Sequence, residues 1–185
     1  MKVSLSKPTI LIFILICIVG AQNCELSNPQ HCSCRNITNN IFRIECIKDT
    51  GMPNISLKNP VNVGTKFQIT ISNKNLTTFT DFVFDYFQYE ISEFKLEYSK
   101  IEEVRVWSFF TNKFITFSMI GNNFKSIANI FRYGSCAKPF WINDLRLSSN
   151  QINEIKRSDF ACIAKNITLI YLDGNKIIEI SNDTF

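Results

Sequence analysis

Histidine is almost missing from this 185-residue chain, with His31 its only example. Proton transfer near neutral pH leans on imidazole more than on any other side chain, and this ring lies inside a group of cysteines. A Gly-rich phosphate loop, an H-E-x-x-H run and a G-x-S-x-G elbow are missing too. Neighbouring carboxylates such as Glu102 and Glu103 suit a solvated turn. The expectation is a protein that is not an enzyme and takes no cofactor. Basic runs are equally scarce: none exceeds the Lys156-Arg157 pair, and the formal net charge is a mild +4. A nucleic-acid or membrane-surface footprint is therefore not expected.

Long apolar runs are scarce as well. The one that stands out spans residues 10–18, with Lys2 and Lys7 on its amino side and the small residues of Val19-Gly20-Ala21 after it. It is well short of the ~20 residues that cross a bilayer, and the arrangement fits a signal peptide, residues 1–21, cleaved after Ala21. A secreted, extracellular chain follows. After residue 21 no segment is long and apolar enough to expect a transmembrane span.

What the sequence does contain is a frame that repeats. It reads Leu145-x-Leu147-x-x-Asn150-x-Ile152-x-x-Ile155-x-x-x-x-Phe160, and again Ile170-x-Leu172-x-x-Asn175-x-Ile177-x-x-Ile180-x-x-x-x-Phe185. Looser copies surround Asn122, Ser99 and Lys74. The anchors 74, 99, 122, 150 and 175 are 25, 23, 28 and 25 residues apart. Alternation before the anchor and steps of three and five after it cannot be one amphipathic helix. They describe a short strand that turns sharply and returns, stacked turn on turn so that neighbours share one core. Ile91, Phe114, Ile142 and Ile167 occupy a further apolar position eight residues before their anchors. An Asn at the bend can satisfy backbone groups of its own and the adjacent turn. Asn122, Asn150 and Asn175 therefore form a ladder, expected to be weaker where Lys74 and Ser99 replace the amide. Phe84, Phe109, Phe160 and Phe185 share one repeat position and read as a Phe spine along the core.

Cleavage of the leader leaves six cysteines, an even number that implies disulfides in a secreted chain. Cys136 and Cys162 lie 14 and 13 residues before their following anchors, nearly equivalent positions on adjacent turns, and are expected to pair. One histidine and an oxidising compartment argue against a zinc site, so no metal is expected. The other four cluster as Cys24-x7-Cys32-x-Cys34-x11-Cys46 immediately before the repeats.

This cluster, followed by the Asn frame, resembles extracellular leucine-rich repeat proteins over residues 24–185, with repeats of about 20–29 residues. The resemblance implies an α/β solenoid: a curved parallel sheet on the concave side, an irregular or short-helical convex side, and a disulfide cap. It divides the chain into a cap at 22–60 and about five repeats at 61–185, and pairs Cys24 with Cys34 and Cys32 with Cys46. The alternating stretch 41–46 would be the cap's strand. The family usually closes with a second cysteine cap, and the last repeat here stops at Phe185. Three expectations stand for that end: a fragment of a longer receptor, dimerisation through the uncapped turn, or a short protein of modest stability.

Function is expected on the concave face. Residues between the inward positions point outward, and Lys95, Glu97, Asp144, Arg146, Tyr171 and Asp173 are the leading contact candidates, in a row that also includes Gln68, Thr70, Thr116 and Ser118. Asn-x-Ser/Thr sequons at Asn36, Asn54, Asn75, Asn166 and Asn182 are expected to carry N-glycans in a secreted chain. The resemblance implies a non-catalytic binding module that recognises an extracellular protein, or a glycan or microbial ligand, in adhesion, matrix or receptor settings. A soluble innate-immune recognition or decoy protein is the alternative, and a purely structural matrix component a third reading.

Overall fold

The computed structural model describes residues 24–27, 32–47, 55–58, 61–72, 75–80, 90–105, 113–131, 141–161, 163, 167–182 and 184. Its main sheet opens with β1 (Cys32–Thr38) and β2 (Ile41–Cys46), an antiparallel pair. To β2 are added, all parallel, β3 (Lys66–Ile71), β5 (Glu90–Leu96), β7 (Lys113–Ser118), β8 (Trp141–Arg146) and β10 (Leu169–Tyr171). The spatial order equals the chain order, so each strand returns beside the one before it. This is a mostly parallel β-solenoid.

The alternation explains why these stretches become strands. β2 and β3 bury every second residue, Phe42 and Ile44, then Phe67, Ile69 and Ile71, all fully buried. In β5 an extra residue separates the first inward position, Ile91, from the second, Phe94, and the register against β3 shifts there. Phe114 and Phe117 of β7 and Ile142 and Leu145 of β8 repeat that spacing and are likewise buried. Each such side chain contributes roughly 1.5–3 kcal/mol on burial, and no single turn could bury its own.

Between the main strands the chain returns along the far side of the core. There β4 (Thr78–Thr80) pairs in parallel with β6 (Glu103–Arg105), and β9 (Glu154–Ile155) with β11 (Glu179–Ile180). Helix is confined, among the described residues, to α1 (Ala128–Phe131) and a 3-10 turn at Arg157–Phe160. The return path, expected to be irregular or short-helical, is thus partly strand, and with so little helix among the described residues the molecule is a mostly parallel β-solenoid rather than a clear α/β one. Aromatic rings knit the turns: Phe42 meets Phe67, Phe94 meets both Phe79 and Phe117, and Phe117 meets Phe131, with centroids 5.6–5.9 Å apart. Of the expected Phe spine, Phe160 is buried, while Phe84, Phe109 and Phe185 lie outside the described residues.

At the amino end the structure pairs Cys24 with Cys34 and Cys32 with Cys46, tying the segment before β1 and both ends of the β1–β2 hairpin together. Cys136, Cys162 and the whole leader lie outside the described residues. No helix among the described residues is long and apolar enough to cross a membrane.

Candidate functional site

The polar ladder sets the geometry from which any site on this sheet hangs. Asn150 is 5% exposed. Its Nδ2 donates to Met119 O of the preceding turn at 2.8 Å and to Leu147 O of its own at 3.0 Å, while its Oδ1 accepts the Phe124 N–H at 3.2 Å. Asn122 does the same one turn earlier with Leu96 O, Met119 O and the Ile101 N–H. Asn175 does it one turn later with Leu147 O, Leu172 O and the Ile152 N–H. Met119 O and Leu147 O each receive two amides, so adjacent rungs share an atom. Ser99 has one hydroxyl proton, given to Glu97 O at 3.3 Å. Lys74 lies outside the described residues.

Sequence reading missed the residue just before each anchor. Tyr98, Gly121, Ser149 and Gly174 all have positive φ, between 51° and 69°. A left-handed residue lets an extended strand break direction in one step and aims the following side chain inward. Glycine at two of the four was the available signal. Gly121 is doubly required, because a Cβ there would come within 2.7 Å of the Tyr98 ring.

With the strand ends pinned, the outer face lines up in rows. One row runs Arg43, Gln68, Glu93, Thr116, Asp144, Leu169, and the next Glu45, Thr70, Lys95, Ser118, Arg146, Tyr171. Continuing the register, Glu97, Ile120, Ser148 and Asp173 form a third. The six contact candidates therefore share one face. β5 and β8 each carry an acid in the first row and a base in the second, about 10 Å apart across β7. Lys95 reaches Glu93 at 2.8 Å and Arg146 reaches Asp144 at 3.6 Å. These half-exposed pairs are worth about 0.2–1 kcal/mol each. Between them Thr116 and Ser118 point outward yet are buried, 7% and 0% exposed, because the long flanking side chains overhang them.

Arg146 is held by more than charge. Its guanidinium lies 5.3 Å from the Tyr171 ring centroid, and its Nε is buried with no hydrogen-bond partner. Lys113 stands over Trp141 in the same way, also at 5.3 Å. Each such contact adds about 0.5–1 kcal/mol at an exposed site and holds an aromatic ring in place. Ser118 donates to Glu97 and Ser148 to Asp173. At the opposite end Arg43 Nε and Nη2 both donate to Gln68 Oε1, at 3.1 and 2.7 Å.

Asn36, Asn75 and Asn182 are exposed, while Asn54 and Asn166 lie outside the described residues. The Asn36 Oδ1 accepts the Cys24 N–H at 3.3 Å. A cleft of about 410 Å³ opens at the cap beside the two disulfides and the Glu25–Lys58 ion pair. Among the described residues no group of three His, Cys, Asp or Glu is placed to hold a metal. No family model, curated protein or solved structure matches the chain.

Proposed function

We propose that this chain is a secreted, non-catalytic binding module of the leucine-rich repeat type, which recognises another extracellular protein through the outer face of its main sheet. The observation that carries the reading is that face: aligned rows of charged, hydroxyl and aromatic side chains in register over a closed apolar core. Extended faces of stacked repeats are suited to wide protein contacts, and Trp, Tyr and Arg are the residues that most often anchor them. Two disulfides at the amino-terminal hairpin suit an oxidising compartment. The Asn rungs and the paired hairpin cap support the repeat type.

The test is a binding screen with two kinds of variant. Protein secreted from eukaryotic cells is multimerised and presented to an array of extracellular domains. Any partner found is then measured against Arg146→Glu and Tyr171→Ala on the outer face, and against Lys125→Glu in a return segment. The outer-face variants lose at least tenfold in affinity, about 1.4 kcal/mol or more, and Lys125→Glu stays within about twofold. A partner indifferent to the outer-face variants but lost in Lys125→Glu would place binding elsewhere.

A further inference from the structure

The outer face is not uniform along the solenoid. Within β2 and β3 the outward positions are polar, Arg43, Glu45, Gln68 and Thr70, and one apolar side chain, Ile47, is exposed just past β2. Over β7, β8 and β10 the face exposes four large apolar side chains: Ile115 (60%), Trp141 (47%), Leu169 (47%) and Tyr171 (40%). β7 and β8 have a strand on both sides, and Ile115 and Trp141 are exposed there nonetheless. Four large apolar side chains exposed on three adjacent strands, interspersed with Asp144 and Arg146, offer a mixed apolar and charged surface suited to a partner.

The charges around it are unevenly spent. Lys95 is paired with Glu93, Arg146 with Asp144 and the Tyr171 ring, and Lys113 with the Trp141 ring. Glu97 and Asp173 instead accept only hydroxyl protons, from Ser118 and Ser148, and neither forms an ion pair among the described residues. The cations of this half are engaged, and two of its carboxylates have room for one. Asp173 stands two residues beyond Tyr171 on the same stretch, so an aromatic anchor and an unmatched acid lie side by side.

We infer that the carboxyl-terminal half of the outer face, Ile115, Trp141, Leu169, Tyr171 and Asp173, together with Glu97 at its border beside β7, docks a protein segment in which lysine or arginine alternates with aliphatic side chains. The aliphatic groups pack against the exposed apolar side chains, and the cations meet the two unmatched carboxylates. The inference rests on the reading of this face as a binding surface and adds the chemistry of what it binds.

The probes are a KLKLK pentapeptide and its charge-reversed counterpart ELELE, titrated into isotopically labelled, disulfide-intact protein and followed by NMR. KLKLK shifts the Trp141 indole N–H and the amides of residues 169–173 in a saturable way, and ELELE binds at least tenfold more weakly. A Glu97→Gln, Asp173→Asn double variant keeps both acceptor oxygens for the serine hydroxyls, so the face stays built. It weakens KLKLK by about threefold for each carboxylate lost and flattens the salt dependence. Trp141→Ala weakens the same peptide without altering its salt dependence. Equal binding of the two peptides, or tighter binding of ELELE, overturns the inference. So does silence from both peptides while Tyr171→Ala still costs an extracellular partner its affinity, and that result leaves the binding-module reading intact. Silence from both peptides together with an unaffected partner overturns both.

Discussion

Asn150→Ala is the most informative single change, because its cost can be worked out atom by atom. The side chain is buried, and the Phe124 N–H has its Oδ1 as acceptor at 3.2 Å. Removing it orphans one buried donor, at about 1–3 kcal/mol. Met119 O and Leu147 O each lose one of two amide donors and keep the other, from Asn122 and Asn175, which adds roughly 0.5 kcal/mol apiece. The expected loss is about 3 kcal/mol, a large share of a typical 5–15 kcal/mol stability. Asn175→Ala removes the same bonds from a half-exposed site where water can substitute, so about 1–1.5 kcal/mol is expected. The double variant should exceed the sum by about 1–2 kcal/mol, because only then does Leu147 O lose both of its amides. Urea unfolding of the oxidised protein, followed by far-ultraviolet circular dichroism, measures all three. Equal costs for the two single variants, or strict additivity in the double, would refute the shared-carbonyl account.

Gly121→Ala should cost about 1–2 kcal/mol from its left-handed backbone and the displaced Tyr98 ring. In a Tyr98→Ala background that cost should fall to that of Gly174→Ala, where the nearest atom of Ser149 is 3.3 Å away; thermal melts of the four variants and the wild type check it. Replacing Cys32 and Cys46 by serine opens a loop with a sequence separation of 14 and should cost about 3 kcal/mol, read as a lowered midpoint in urea. The hydrogen bond and charge of Glu154 raise the Lys156 pKa; desolvation opposes them, and the charges of Asp159 and Glu179 add smaller increases. A raised lysine pKa stabilises the fold fully below the unfolded value and loses that contribution as pH rises through the folded one. The effect of Glu154→Gln should therefore be visible at neutral pH and vanish in strong alkali, with the Lys156 resonance titrating earlier in the variant.

The parts of the molecule legible in the sequence are those fixed by a single local period. Strand alternation placed Ile69 and Ile71 inward and Gln68 and Thr70 outward without reference to any other turn. The ladder could be read because only an amide offers two donors and an acceptor at the bend. The left-handed backbone at Tyr98 and Ser149 was hidden, since neither residue type announces it and the turn imposes it. Burial of Thr116 and Ser118 was hidden as well. It depends on Glu93, Lys95, Asp144 and Arg146 from strands more than twenty residues away, a relation no local pattern encodes. The short return strands β4, β6, β9 and β11 are two or three residues long, too brief for any period to register. The rows that make up the candidate site were visible as a list of outward positions, whereas the pairing of Arg146 with Tyr171 rather than with Asp173 is set by how β8 and β10 lie side by side in the fold.

The rungs of the ladder span 26, 31 and 28 residues of chain from Asn122, Asn150 and Asn175 to the carbonyls of the preceding turn, yet their hydrogen bonds are nearly the same length. The amides thus register where a turn begins and ends and are indifferent to how much chain lies between. Insertions and deletions along the returning path should leave the outer rows in alignment. The architecture separates a part that must be conserved in shape from a part free to drift in length, and a lineage of such chains could remodel one side of the coil while keeping its recognition surface intact.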